Sequence, residues 1–138
     1  EMNHAEVEGL LSLLVDAYPR VHQFSYLRGL FYARSRKWQE ADEDFTAALQ
    51  QLPRSSKLWH EYAYRLAYLH AYTGQLDRYH DLCRQTIEEF GDTDDVKIAE
   101  RTAKMCLFSN QIEVDLGPAA LLADKAFAAP EASDDLRP

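Results

Sequence analysis

The segment HEYAY at residues 60–64 begins like the zinc-protease motif H-E-x-x-H. In that motif two histidines four residues apart lie on one helix face and bind the metal, and the glutamate acts as a general base. Here Tyr64 stands where the second histidine is required, so two imidazoles cannot meet at one ion. The sequence therefore predicts no zinc site at His60, and we expect no metal ion and no other cofactor in this chain.

The two cysteines, Cys83 and Cys106, are the other residues with ligand or redox chemistry. Each lies within a helix-like apolar pattern, and together they lack the paired spacing of a metal site. The sequence therefore favours two reduced thiols in the core over a disulfide or a metal site. A reducing, cytoplasmic location fits this prediction, and the N-terminal residues lack the basic-then-apolar order of a signal peptide.

Carboxylates cluster in two short segments, EADEDF at 40–45 and GDTDD at 91–95. Each falls at the start of a predicted helix, where the helix dipole favours negative charge, and Thr93 or Asp94 is the predicted N-cap of the later helix. Neither cluster has the spacing of a calcium loop. No carboxylate pair or Cys/His dyad has a spacing that places it on one inner face, so we predict that the chain is not an enzyme.

Composition and charge restrict the classes of partner. The 138 residues are 46% hydrophobic and 28% charged, which is typical of a globular protein with a core. Fifteen Lys and Arg side chains stand against 23 Asp and Glu, a net charge of -8. Because this charge opposes binding to phosphates and to anionic lipid, we expect neither a nucleic-acid partner nor a membrane. The longest apolar run, near Leu10, is too short to span a bilayer.

Helical periodicity covers nearly the whole chain, and strand-like alternation is almost missing. Apolar side chains recur at three- and four-residue steps, and the segments end at proline or glycine. The pattern predicts an all-α protein of seven helices joined by short turns. The predicted helices cover residues 3–18, 22–35, 38–52, 56–73, 76–90, 95–108 and 118–129.

An internal repeat connects these helices. Pro19 and Pro53 lie 34 positions apart, and the same step relates other apolar positions before them. Residues 22–55 resemble a tetratricopeptide repeat (TPR), a helix-turn-helix unit of that length. Ser25 and Arg28 depart from the pattern, which usually has tryptophan and leucine there. The matching positions are Gly29, Tyr32, Ala41, Phe45, Ala48 and Pro53, and in the next repeat Trp59 and Ala63.

The small residues of this pattern predict where two helices come close. We expect Gly29 to face Ala41 across the first helix pair, with larger aromatic side chains beside them. The second repeat departs from the 34-residue period, because its turn at Gly74 arrives four residues late. Four residues are close to one helical turn, so we predict a longer first helix with an unchanged buried face. Tyr79 then stands where a small residue is usual.

The resemblance implies one TPR-like domain over residues 1–130, built as a right-handed α-solenoid. It would contain a preceding helix at 1–20, repeat 1 at 22–55, repeat 2 at 56–91 with an extended first helix, and a degenerate repeat 3 at 94–130. The polar, proline-flanked residues 131–138 are predicted to be a disordered tail or the start of a linker.

One stripe of side chains is a candidate for partner binding. Residues 60, 64, 68 and 72 are each four apart and so share a face of one helix. In the TPR family this face is concave and binds peptides, but a tyrosine-rich stripe also suits a packing seam between helices, and the sequence leaves both interpretations open. Glu100 and Lys104 either extend the groove or form a simple ion pair. The resemblance gives as partner-binding residues Gln23, Tyr26, Arg34, Lys57, His60, Tyr64, Tyr68 and Tyr72.

The predicted function is that of a non-catalytic interaction module for a protein or peptide partner. The segments EEFGDTDDVKIAERTAKMCL and LADKAFA resemble TPR regions attached to bacterial Ser/Thr protein kinases, particularly of planctomycetes, which implies a larger signalling or scaffold protein. Two alternatives stay open. One is an all-helical enzyme or small-ligand-binding domain, and the other is self-association into a homo-oligomer through the terminal helices.

Overall fold

The computed structural model describes residues 1–108, and this part of the chain is all-α, without a β-strand. The all-α prediction is confirmed there, and the six helices agree with the predicted segments to within two residues at each end. The predicted seventh helix at 118–129 and the predicted tail at 131–138 lie outside the described residues. The helices are α1 (His4–Ala17), α2 (His22–Arg34), α3 (Trp38–Gln50), α4 (Lys57–Tyr72), α5 (Leu76–Phe90) and α6 (Val96–Leu107).

The helices belong to two compact units, Glu1–Tyr62 and a second that begins at Ala63. The first contains α1, α2, α3 and the start of α4, and the second contains the rest of α4 with α5 and α6. The prediction of one domain over residues 1–130, with its repeat boundaries, stays a prediction.

Side chains cap three of the described helices at their N-termini. Ser56 caps α4, and its hydroxyl accepts a hydrogen bond from the backbone N–H of Trp59 at 3.0 Å. Asn3 caps α1, and its Oδ1 accepts a hydrogen bond from the backbone N–H of Glu6 at 2.9 Å. Asp95 caps α6 by accepting from the N–H of Ile98 at 3.1 Å. The prediction of Thr93 or Asp94 as this cap was therefore wrong. The Thr93 hydroxyl instead accepts from the N–H of Asp95, which holds the capping residue in place.

The first unit is built on the packing of α2 against α3, with α1 against α2. The predicted close approach at Gly29 is confirmed, because a Cβ at this position would lie 2.7 Å from two ring carbons of Phe45. The residues that Gly29 faces most closely are Phe45 and Asp44, one helical turn beyond the predicted Ala41. Ala41 and Ala48 are fully buried in this core.

A buried ion pair crosses the same helix pair. The guanidinium of Arg28 binds the carboxylate of Asp44 through two hydrogen bonds of 2.8 Å, and its Nη1 lies 3.4 Å from the hydroxyl of Ser12 on α1. Asp44 is buried, and the hydrogen bond to it raises the pKa of Arg28. Asp44 therefore does more than complement the helix dipole, and Arg28 replaces the usual TPR leucine with a polar link between three helices.

The turns after α2 and α4 share one geometry. Arg36 and Gly74 both have positive φ, 60° and 79°. Beyond them, the N–H of Lys37 donates to the carbonyl of Tyr32, and the N–H of Gln75 donates to that of His70. Both bonds span five residues, as in a Schellman cap. The turns are 38 residues apart, so the predicted shift by four residues is confirmed, and α4 is three residues longer than α2.

The matched turns provide a test of backbone strain. Arg36→Gly is expected to raise the free energy of unfolding by about 0.5–1 kcal/mol, because glycine adopts positive φ without the clash of a Cβ. Gly74→Ala is expected to lower it by about 1 kcal/mol for the same reason. Urea denaturation followed by circular dichroism measures both variants. This account would be contradicted if both substitutions raised, or both lowered, the free energy of unfolding.

In the second unit α5 packs against α6. Tyr79, which occupies the usual small position, is fully buried, and its hydroxyl donates a hydrogen bond of 2.5 Å to the carbonyl of Met105. Ala99 and Ala103 on α6 form a buried cluster in this unit. The large side chain of Tyr79 is therefore accommodated in the core and anchored to α6 by a polar contact.

Candidate functional site

The predicted stripe on α4 provides an aromatic surface in the second unit. Tyr64 and Tyr68 are half-buried, and Tyr72, one turn further on, is 71% exposed. The rings of Tyr64 and Tyr68 pack edge-to-face with centroids 4.9 Å apart. Phe108, directly after α6, packs edge-to-face on Tyr68 at 4.5 Å and is 52% exposed. We call these four residues the tyrosine face.

A buried charge lies beside the tyrosine face. Glu100 on α6 is buried and forms an ion pair with Lys104, whose side chain is 57% exposed. This hydrogen bond raises the pKa of Lys104. The predicted four-apart pair is thus present, and both of its members interact electrostatically with the tyrosines of α4. The face therefore combines apolar rings with one accessible cation.

Burial and hydrogen bonding keep the phenol of Tyr68 neutral. Burial raises the pKa of Tyr68, and the hydrogen bond with Tyr64 and the nearby carboxylate of Glu100 raise it further. A neutral phenol can donate a hydrogen bond to a partner carbonyl or carboxylate while its ring packs against an apolar side chain.

His60, the first member of the predicted stripe, has a different environment. Its side chain is 1% exposed, so the imidazole lies in the interior and does not offer a surface to a partner. The α4 stripe thus changes along the helix from buried at residue 60 to accessible at residue 72. Among the residues that the structure describes, no group of three or more His, Cys, Asp or Glu side chains is placed to hold a metal ion.

The predicted partner-binding residues of the first unit differ in their exposure. The Tyr26 ring stacks on Tyr62 at 4.0 Å with an interplanar angle of 10°, and it lies 5.6 Å from the Phe45 ring. Tyr26 is half-buried by this packing, whereas Gln23, Arg34 and Lys57 are exposed. The His22 Nδ1 lies 3.1 Å from the hydroxyl of Tyr62. Burial, with the nearby Tyr26 and Glu61, raises the pKa of Tyr62 to about 12.

Phe108 is the member of the tyrosine face that the sequence analysis did not identify as a binding residue. It was the last residue of the predicted sixth helix, and nothing in a periodic pattern shows which side of a helix end a neighbouring ring will contact. The sequence feature that could have identified Phe108 is the pair of apolar residues Leu107 and Phe108 at a predicted helix end. In the structure these residues are 44% and 52% exposed.

In comparisons with known proteins, no model of a protein family matches this chain, and no curated protein matches it either. The TPR resemblance therefore depends on the pattern residues alone. Within residues 1–108, no helix has both the length and the apolar character needed to cross a membrane.

Proposed function

We propose that this chain is a non-catalytic interaction module that binds a protein or peptide segment over the tyrosine face. The observation that carries the proposal is the accessible aromatic cluster of Tyr64, Tyr68, Tyr72 and Phe108. Large aromatic side chains that stay partly exposed beside a charged pair are the usual anchors of protein interfaces. A matching segment would offer apolar side chains for the rings and a carboxylate or carbonyl for Lys104.

The architecture that we propose for the module is a TPR-like right-handed solenoid. Support comes from the close helix approach at Gly29, the buried alanines at positions 41, 48 and 63, and the two matching turns at Arg36 and Gly74. On this proposal the tyrosine face belongs to the concave surface, and the module is part of a larger bacterial signalling or scaffold protein, as the kinase-attached resemblance implies.

A peptide-display selection tests the binding proposal. Random peptides selected against the wild-type chain are expected to bind the double variant Tyr64→Ala/Tyr68→Ala at least about tenfold more weakly, because interface tyrosines commonly contribute 1–2 kcal/mol or more. Fluorescence anisotropy with the selected peptides measures the affinity. The thermal midpoint is expected to stay within a few degrees of the wild type, since both rings are half-exposed.

Tyr18→Ala is the matched control for this experiment. Tyr18 is an exposed tyrosine of the first unit, outside the tyrosine face, so its removal should leave peptide affinity unchanged. Selected peptides that bind wild type and double variant equally would contradict the proposal. Loss of folding in the double variant would show that the two rings are core residues and would also reject the binding role.

Self-association is a second candidate function, and α1 is the observation that favours it. No residue of α1 is buried, and Leu10 and Leu13 are 48% and 67% exposed. An apolar helix face of this kind is stabilised when a second copy covers it. Sedimentation of the wild-type chain separates the two candidates, because only self-association makes the sedimentation coefficient rise with concentration.

A further inference from the structure

The two cysteines meet where α5 and α6 pack together. Cys106 Sγ lies 3.9 Å from the carbonyl oxygen of Cys83, and Cys83 Sγ lies 4.0 Å from the carbonyl oxygen of Met105. The two thiols are close enough to interact, which lowers the pKa of Cys83 and raises that of Cys106. Both side chains are free and fully buried. Each sulfur therefore lies beside the backbone of the other cysteine.

The neighbours of this pair limit its chemistry. The hydroxyl of Tyr79 interacts with Cys83, and the side chain of Met105 is fully buried. An apolar interior penalises net charge, so a pair of thiolates or a charged metal–thiolate complex is costly there. A disulfide is neutral and carries no such cost. Among the products that two adjacent thiols can form, burial thus favours the disulfide.

We propose that Cys83 and Cys106 form a dithiol site, which a small disulfide such as oxidised glutathione converts into a disulfide bond between α5 and α6. The bond needs an S–S distance of about 2.05 Å and a Cα–Cα distance of roughly 4.4–6.8 Å. Each sulfur lies within 4.0 Å of a backbone carbonyl oxygen on the facing helix, so side-chain rotation with a small helix shift can bring the two sulfurs together.

The reaction proceeds in two exchange steps that balance. Once the helix pair opens, either thiol can react first, and in one of the two orders the exchange begins with Cys83. Its thiolate attacks one sulfur of oxidised glutathione, forms a mixed disulfide and releases one glutathione. The Cys106 thiolate then attacks the Cys83 sulfur, forms the internal S–S bond and expels the second glutathione. In total, the two cysteine thiols lose two electrons and the disulfide of oxidised glutathione gains them. The two protons of the cysteine thiols are transferred to the two glutathione thiolates.

Burial controls the rate of this reaction. A small disulfide reaches the thiols only when the helix pair opens locally, because neither sulfur is accessible in the packed state. The exposed end of α6, at Leu107 and Phe108, is the nearest edge from which the helix can separate. The pair is therefore expected to oxidise slowly, and to stay oxidised once the helices have closed again over a neutral bond.

The test is oxidation of the wild-type chain by oxidised glutathione. Intact mass spectrometry is expected to show a loss of about 2 Da, the two hydrogen atoms released, without a glutathione adduct. Peptide mapping without reductant should recover the peptide of Cys83 joined to that of Cys106. Because the bond closes a loop over a native contact, the thermal midpoint should rise by about 5–10 °C, and a reductant should reverse the change.

Two controls make the result decisive. The single variants Cys83→Ala and Cys106→Ala should carry at most one glutathione and form no internal bond. Oxidation of the wild-type chain unfolded in urea shows that the thiols and the oxidant are reactive. The proposal is overturned if the folded wild type keeps both thiols while the unfolded chain reacts. It is also overturned if mixed disulfides or linked dimers are the main products, or if the internal bond lowers the thermal midpoint.

Discussion

Replacing Asp44 by alanine is expected to lower the free energy of unfolding by about 3 kcal/mol, because breaking a buried ion pair leaves its partner charge without compensation. Asp44 is buried, and Arg28, which binds it through two bonds of 2.8 Å, has a side chain that is only 20% exposed. The thermal midpoint should fall by about 10 °C. Urea denaturation followed by circular dichroism measures the change.

A double-mutant cycle separates the ion pair from simple loss of side chains. Arg28→Leu introduces the residue that the TPR pattern usually has, and combined with Asp44→Ala it removes both charges. The double variant is expected to be more stable than Asp44→Ala alone, with a coupling energy of about 2 kcal/mol. Glu43→Ala, at the exposed neighbour on α3, is the matched control and should change stability by less than about 0.5 kcal/mol. Equal effects at positions 43 and 44 would contradict the importance of the pair.

Replacing Gly29 by alanine is expected to lower the free energy of unfolding by about 2 kcal/mol, because overpacking outweighs the helix propensity of alanine. The new Cβ would lie 2.7 Å from two carbons of the Phe45 ring and 3.3 Å from the Cβ of Asp44. Phe45 is itself buried and contacts the Tyr26 ring, so it has little space into which to move. Thermal and urea denaturation both report the loss.

Gly9→Ala is the matched control for this prediction. Gly9 also lies inside a helix, but a Cβ there would meet no atom within 4 Å. The same substitution should therefore stabilise the chain by about 0.5–1 kcal/mol at position 9. In a Phe45→Leu background, Gly29→Ala should lose most of its cost, because the clashing ring carbons are gone. A destabilisation that persists without the ring would place the constraint elsewhere.

Local structure was predictable because its causes are local. The spacing of apolar residues at three- and four-residue steps predicted the six described helices. Gly74 predicted the turn after α4, where the positive φ favours glycine. The close approach at Gly29 was predictable because Gly29 stands at a small position of the 34-residue pattern, whereas at Gly9, which also lies inside a helix but outside that pattern, a Cβ would meet no atom within 4 Å. The capping residue Asp95 was missed because several adjacent residues can cap a helix equally well and local geometry selects among them.

The candidate site was predictable only in part. Tyr64, Tyr68 and Tyr72 share a helix face by spacing alone, but the same spacing included His60, which is buried. The contribution of Phe108 depends on where α6 ends against α4, and a one-dimensional pattern carries no information about that position. TPR-like function stays a proposal, because no family comparison supports the pattern beyond the residues themselves.

Helices, turns and the small residues that allow close packing follow from local sequence, because backbone propensity and side-chain periodicity act over a few residues. The long-range contacts depend on how the helices pack. Arg28 and Asp44 meet across α2 and α3, and Cys83 and Cys106 meet across α5 and α6, at separations of 16 and 23 residues. Such pairs form when two helix surfaces pack in one register, and that register depends on the whole core rather than on the two residues.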